Sequence, residues 1–223
     1  MDADRTALVL TGGQPVDRDV LGSLPRQALV IAADSGIEQA ATLGLPVHLA
    51  VGDFDSVTPA ALQAAMTAGA RVERHPVSKD RTDLEIALEA AGRAGARRVV
   101  IVGGEGGRLD HFLANALLVA SPEFADLEIE WRAGAARVVV VRRRAEISGR
   151  PGDLLTLLAV GGAARRVRTE GLRYPLQDED LLPGSSRGVS NELTGPLAAV
   201  SLESGTLLAV LPGGETDQRR STG

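Results

Sequence analysis

Aspartate falls at recurring places in the first half of this chain. Asp34 stands in Ala33-Asp34-Ser35-Gly36, and Asp53 and Asp55 in Gly52-Asp53-Phe54-Asp55-Ser56. Asp80 and Asp83 stand in Ser78-Lys79-Asp80-Arg81-Thr82-Asp83, and Asp110 in Gly103-Gly104-Glu105-Gly106-Gly107-Arg108-Leu109-Asp110-His111. Each group directly follows a short run rich in Val, Leu, Ile or Arg. Carboxylates gathered in one place repel one another and raise one another's pKa. A hard cation removes that conflict. Magnesium is the natural candidate, because it prefers carboxylate oxygens, keeps several waters and bridges phosphates. With no cysteine and three histidines, the chain has little from which to build a zinc or copper site.

The Gly103–Asp110 stretch adds four glycines and an arginine between a strand-like run and a helix-like one. Such a loop can set backbone N–H groups and a helix N-terminus against phosphate. It is neither G-x-G-x-x-G nor a Walker A loop. Gly12-Gly13 is a weaker candidate of the same kind. Lys79 is the single lysine of an arginine-rich chain. Each residue also has a plainer use. Aspartates after strands form turns or cap helices. Thr82 with Glu85 spells a capping box, and Asp110 and His111 suit a first helical turn. His48 and His75, in or beside strands, read as structural. What caps do not require is clustering on one edge.

That clustering depends on the elements. Ala7–Leu10, Ala28–Ala32, Val47–Val51, Arg71–Arg74 and Arg97–Val102 read as strands with little alternation, which suits a parallel sheet buried on both faces. Helices are expected at Gly36–Leu43, Pro59–Ala68, Asp83–Ala94 and Leu109–Ala120. In the last, Leu109, Phe112, Leu113, Ala116 and Leu117 form one apolar face. Alternating strands and helices predict a doubly wound α/β domain, in which the strands' carboxyl ends share one edge and ligands bind there. At least five acids would then converge on one cleft.

Beyond Glu128 the helical pattern stops. Glu128–Arg132, Val138–Val141, Leu154–Val160, Arg165–Arg168, Ala198–Leu202 and Leu207–Leu211 are short and β-prone, with Gly and Pro between them. An all-β sandwich is expected, with the boundary near Gly134: residues 1–134 form the α/β domain and residues 135–223 the β-sandwich. The 223 residues are 44% hydrophobic, enough for a real core. Aromatics make up 2% and the net charge is −5, which speaks against base stacking and against phosphate-backbone binding, so no nucleic-acid partner is expected. The polar start of the chain and the lack of a long apolar run predict no membrane segment and a cytoplasmic protein.

Together these segments resemble the thiamine pyrophosphokinase (thiamine diphosphokinase) family. The matching pieces are Ala33–Gly36, Gly52–Ser56, Lys79–Glu85 and Gly103–His111, joined in the second half by Gly171-Leu172-Arg173-Tyr174-Pro175-Leu176 and Ser185-Ser186-Arg187-Gly188-Val189-Ser190-Asn191-Glu192. The likeness spans nearly the whole chain in order. It implies an ATP-binding α/β domain, a β-sandwich that helps to bind thiamine, and a homodimer with thiamine held between one subunit's acidic cleft and the other's β domain. It implies that Asp53, Asp55 and Asp83 hold Mg2+, with Asp110 beside the phosphates. It places Asp34, Ser35, Gly36, Thr82, Gly103, Gly104, Gly106, Gly107, Asp110 and His111 on the nucleotide. Ser190 and Asn191 fall where the family contacts thiamine. Tyr174 replaces the tryptophan often found there, and a packing role is expected of its ring.

The chemistry implied is attack of the thiamine hydroxyl on the β-phosphorus of ATP, with AMP leaving. Positioning and charge neutralisation dominate such transfers. Lys79 and Arg108 would offset triphosphate charge, and Asp83 or Asp55 would accept the hydroxyl proton. Two other classes stay open at this level: a phosphatase using Asp53-Phe54-Asp55 as its D-x-D, and a non-catalytic nucleotide-binding module. A kinase of the same build acting on another heteroaromatic alcohol is a third.

Overall fold

The computed structural model describes residues 5–76, 81–106 and 108–213. Two compact units divide the chain: residues 1–118 with 126–134, and residues 119–125 with 135–223.

The first unit is built on strands β1 (Thr6–Thr11), β2 (Ala28–Ala33), β3 (Leu49–Gly52), β4 (Arg71–Arg74), β5 (Arg98–Val102) and β6 (Glu128–Ala133). They lie in the order β6-β5-β1-β2-β3-β4, and every neighbouring pair is parallel. The helices are α1 (Gly36–Leu43), α2 (Pro59–Thr67), α3 (Asp83–Arg93) and α4 (Leu109–Val119). Leu8, Leu10 and Val30 pack with Ala40 and Leu43 of α1, while Ala32 and Ala50 pack with Ile37 and Leu62 of α1 and α2. The alternate residues Val9, Ile31, Ala33 and Val51 are just as buried and face the other way, where α3 lies on β1 to β3. Burial on both faces explains the unbroken aliphatic runs.

Local chemistry sets the helix ends. Thr58 and Thr82 cap α2 and α3 by accepting the backbone N–H of Ala61 and Glu85. Gly44 ends α1 in the left-handed conformation, φ 70°. One expectation changes. Helix α4 does not bury a single apolar face: Phe112 packs on Trp131 with ring centroids 5.0 Å apart, but Leu109, Leu113 and Leu117 stand 70%, 54% and 62% exposed.

The second unit holds β7 (Ala136–Val141), β8 (Arg144–Ser148), β9 (Leu154–Ala159), β10 (Ala164–Glu170), β11 (Gln177–Leu181), β12 (Asn191–Glu192), β13 (Leu197–Ser201) and β14 (Leu207–Leu211). All its pairings are antiparallel, in the orders β12-β9-β14-β7 and β11-β10-β13-β8. One core joins the two sheets as a sandwich, with Val141, Leu155, Leu157, Leu207 and Ala209 from one and Ile147, Val167, Leu181 and Val200 from the other. Three of these strands, β8, β11 and β12, go beyond the runs expected from sequence. Strand β11 reads Gln-Asp-Glu-Asp-Leu, a composition poor in β-formers. Pairing with β10 supplies what propensity lacks: Arg166 and Arg168 both meet Asp178, and Arg165 meets Asp180. Among the described residues, no helix is long and apolar enough to cross a membrane.

Two glycines test this packing in opposite directions. A Cβ on Gly36 would sit 2.0 Å from the Leu10 carbonyl oxygen, so Gly36→Ala is expected to cost about 3 kcal/mol by forcing α1 off β1. Gly92 lies inside α3 with open space around its Cβ position, so Gly92→Ala should stabilise by about 0.5–1 kcal/mol. Urea unfolding followed by circular dichroism measures both.

Candidate active site

The chain fills the sheet outward from β1 through β2, β3 and β4, then returns to β5 on the other side of β1. The connections that follow β1 and β5 therefore leave in opposite directions, which opens a crevice at the carboxyl edge. Loops after β1, β2, β3 and β5, and the start of α3, meet this edge.

Asp34 directly follows β2 with its backbone left-handed, φ 47°, and its N–H donated to the Val51 carbonyl at 2.8 Å. Asp53 and Asp55 follow β3 on either side of Phe54, whose backbone is also left-handed, φ 63°. That turn sends the Phe54 ring into the core beside Ile37, Val57 and Leu62, with the Arg74 guanidinium over it at 5.1 Å. Asp34, Asp53 and Asp55 each offer a carboxylate oxygen within 4.8 Å of the others. Asp83 joins them from the first turn of α3. A Cβ on Gly52 would lie 3.1 Å from Asp83 Oδ1 and 3.3 Å from Asp34 Cα, so the glycine keeps that space open. Its φ of 143° also favours glycine.

The electrostatics follow from the crowding. Burial pushes the Asp34 carboxyl above its ordinary range; a hydrogen bond from the Ser35 N–H opposes this, and the charges of Asp83, Asp53 and Asp55 add to the rise. Asp34 is 9% exposed, and its Oδ1 has no hydrogen-bond partner among the described residues. An orphaned buried carboxylate oxygen, an all-oxygen donor set and a cleared cradle beside Gly52 fit a small hard cation such as Mg2+.

The glycine loops act differently from expectation. Gly103 N–H donates to the Arg132 carbonyl at 3.1 Å and Gly104 N–H to the Gly12 carbonyl at 2.7 Å. These two amides are thus committed to the fold and are not free donors for phosphate. The glycines are needed for space: a Cβ on Gly103 would lie 2.4 Å from the Thr11 carbonyl oxygen, and one on Gly13 would lie 2.4 Å from that of Glu105. Gly103, Gly104 and Gly106 all have positive φ. Trp131, fully buried, donates from Nε1 to the Gly103 carbonyl at 2.8 Å and so buttresses the loop. Sequence reading missed that role; the only signal was a lone tryptophan one strand away. Gly12 makes room for Ser35, since a Cβ there would lie 2.1 Å from Ser35 Oγ.

Four of the expected acids, Asp34, Asp53, Asp55 and Asp83, come together. Asp110 is engaged elsewhere: Arg108 forks onto its carboxylate through Nε and Nη2. That hydrogen-bonded pairing holds the Asp110 pKa down to about 2 and raises that of Arg108. Arg108 is therefore paired at the head of α4, with His111 exposed next to it. Thr82 uses its hydroxyl as the α3 cap and Gly36 seats α1 on β1, so both have structural work. Lys79, Asp80 and Gly107 lie outside the described residues.

In the second unit Tyr174 is 53% exposed, with the Arg173 guanidinium 5.6 Å from its ring centroid. The packing role expected of this ring is not what the structure shows. Ser190 is exposed in a left-handed turn, φ 57°, whereas Asn191 is 6% exposed.

Comparison with known proteins agrees with this architecture. The family model described as "Thiamin pyrophosphokinase, catalytic domain" matches residues 23–131. The one described as "Thiamin pyrophosphokinase, vitamin B1 binding domain" matches residues 140–207. Together they span most of the chain. A thiamine pyrophosphokinase of Bacillus subtilis is 25% identical over 217 residues, covering 92% of this chain and 98% of the relative. A crystal structure of thiamine pyrophosphokinase from Bacillus subtilis superposes with a TM-score of 0.82 at 24% identity, covering 94% of this chain and all of that one. A thiamin pyrophosphokinase family protein from Enterococcus faecalis gives 0.77 at 25% identity, covering 95% and 100%.

The raised Asp34 pKa has a consequence for stability. The folded protein holds this proton to higher pH than the unfolded chain does. The metal-free protein should therefore lose stability as pH climbs past the unfolded value of 3.8 and through the folded one. Asp34→Asn lacks that loss. In chelator, its Tm should exceed that of the wild type at pH 7, and the gap should close toward pH 4. Thermal melts across that range check it; a gap independent of pH would show that Asp34 is not the strained group.

Proposed function

The chain belongs to the thiamine pyrophosphokinase family, and we propose that it moves the diphosphoryl group of ATP onto the hydroxyl of thiamine, giving thiamine diphosphate and AMP. Family membership sets aside the phosphatase and the non-catalytic module. The observation that carries the finer reading is the carboxylate cluster at the sheet edge, with its orphaned Asp34 oxygen.

Asp53, Asp55 and Asp83 are the residues that would hold Mg2+. A cation held there would supply neutralisation of diphosphate charge, which is most of what such a transfer asks for. The remaining work belongs to the chain. Gly52 leaves the cradle open, and Phe54, anchored in the core, keeps Asp53 and Asp55 from swinging away. Asp55, exposed, or Asp83, half-buried, would accept the hydroxyl proton. Arg108, just before α4, would have to exchange Asp110 for phosphate oxygens to offset triphosphate charge. Lys79 keeps its assignment on the strength of the resemblance.

Thiamine is assigned to the second unit, where Tyr174 offers an exposed ring and Ser190 an exposed hydroxyl. A homodimer is the assembly the resemblance implies. A cytoplasmic setting remains the reading from the polar sequence.

Asp83→Asn keeps shape and removes charge. It is expected to lower turnover at least about 100-fold with Tm within a few degrees of wild type. Incubation with ATP, Mg2+ and thiamine, followed by chromatography for thiamine diphosphate and AMP, measures it. Wild-type rates in the variant would remove Asp83 from the mechanism.

A further inference from the structure

The Asn191 side chain is 6% exposed and makes three hydrogen bonds inside the second unit. Its Oδ1 accepts the N–H of Tyr174 at 3.0 Å and that of Glu192 at 2.9 Å, and its Nδ2 donates to the Tyr174 carbonyl at 2.7 Å. A donor and an acceptor on one residue's backbone fix which end of the amide is which. The arrangement copies the hydrogen-bonded pair of an antiparallel ladder.

A short ladder does run beside it. Thr194 N–H donates to the Gly171 carbonyl at 2.9 Å, Leu172 bridges Leu193, and Arg173 N–H donates to the Glu192 carbonyl at 2.9 Å. The next rung should come from the backbone near Ser190. It cannot, because Ser190 turns left-handed and gives its N–H to Thr156 Oγ1 at 3.0 Å. The Asn191 amide instead holds Tyr174, the residue just short of that rung, by its N–H and its carbonyl. Arg173, which lies over the Tyr174 ring, is tied to the same place by an ion pair with Glu192 at 2.9 Å. The residue that holds Tyr174 and the residue that covers one side of its ring are thus both anchored at 191–192. The Tyr174 ring itself stays exposed.

We propose that Asn191 is a positioning residue for thiamine: it does not touch the substrate, but clamps the Tyr174 backbone so that the ring is presented in one orientation as a wall for a flat heterocycle. This rests on the thiamine reading of the second unit, and it departs from the direct contact that the resemblance implies for Asn191. An amide turned toward substrate would leave the Tyr174 N–H and carbonyl without partners, at the expense of the very surface the substrate needs.

Tyr174 is the only tyrosine of the chain, so 3-fluorotyrosine labelling of the full protein gives one 19F resonance that reports on it. Four proteins are compared: wild type, Asn191→Ala, Tyr174→Ala and the double variant. Asn191→Ala should shift or broaden the 19F signal with no substrate present. It should raise the thiamine KM about tenfold while leaving the ATP KM and kcat within about twofold, and the double variant should be no worse than Tyr174→Ala alone. Asn191→Asp, which keeps the acceptor and loses the donor to the Tyr174 carbonyl, should move the signal in the same way. It carries the test if the alanine variant does not fold. A resonance unmoved in the free variants, or KM effects that multiply in the double variant, would overturn the clamp in favour of direct contact. Failure of the wild type to convert thiamine at all would fail the functional reading, and the thiamine role of Asn191 with it; the 19F comparison would still decide whether Asn191 holds Tyr174.

Discussion

Repulsion among four carboxylates is the constraint around which the first unit is arranged. Asp34, Asp53, Asp55 and Asp83 come from three different connections, yet the parallel sheet brings their strand ends and one helix start to a single edge. Nothing about such a cluster favours folding. Like charges a few ångströms apart oppose one another, and Asp34 is also stripped of water. The backbone bears a further strain. Asp34 tolerates a left-handed conformation, as aspartate commonly does, but for Phe54 it is a real departure that burial of the ring must offset. Strain and repulsion at one place, supported by an otherwise regular sheet, are what a binding site for a cation and a polyphosphate requires.

The glycine-rich loops serve that site by shape. The loops after β1 and β5 interlock main chain to main chain, and the bulk of Trp131 supports them from below. Two amides that a phosphate-cradle reading would have counted as donors are already used. What the glycines provide is close approach, so that the crevice between β1 and β5 has firm walls of backbone rather than mobile side chains.

The second unit solves a different problem with the same economy. Its core is aliphatic and its polar surface is organised by cross-strand arginine–aspartate pairs, which make a strand of Gln-Asp-Glu-Asp-Leu. Exposed pairs of this kind contribute little individually. Here they set register at a place where β10 is bulged and both Arg166 and Asp178 are left-handed. A buried asparagine completes the edge from which Tyr174 projects.

Much of this was legible in the sequence. The aliphatic runs of β1, β2 and β5, the helices opening at Gly36, Pro59 and Asp83, and the aspartates after β2 and β3 announced a parallel sheet with an acidic carboxyl edge, because periodicity and capping are local properties. Strands β8, β11 and β12 were not legible, since they are made by partners distant in the chain rather than by their own propensities. The exposed leucines of α4 show the same limit: period describes a stripe, not what it faces. Tertiary structure alone decided that Asp110 belongs to Arg108, that Gly103 and Gly104 serve the fold, and that Asn191 is buried behind Tyr174. Each of these is a question of which polar group finds which partner, and hydrogen bonds are settled by distances that only the folded chain fixes.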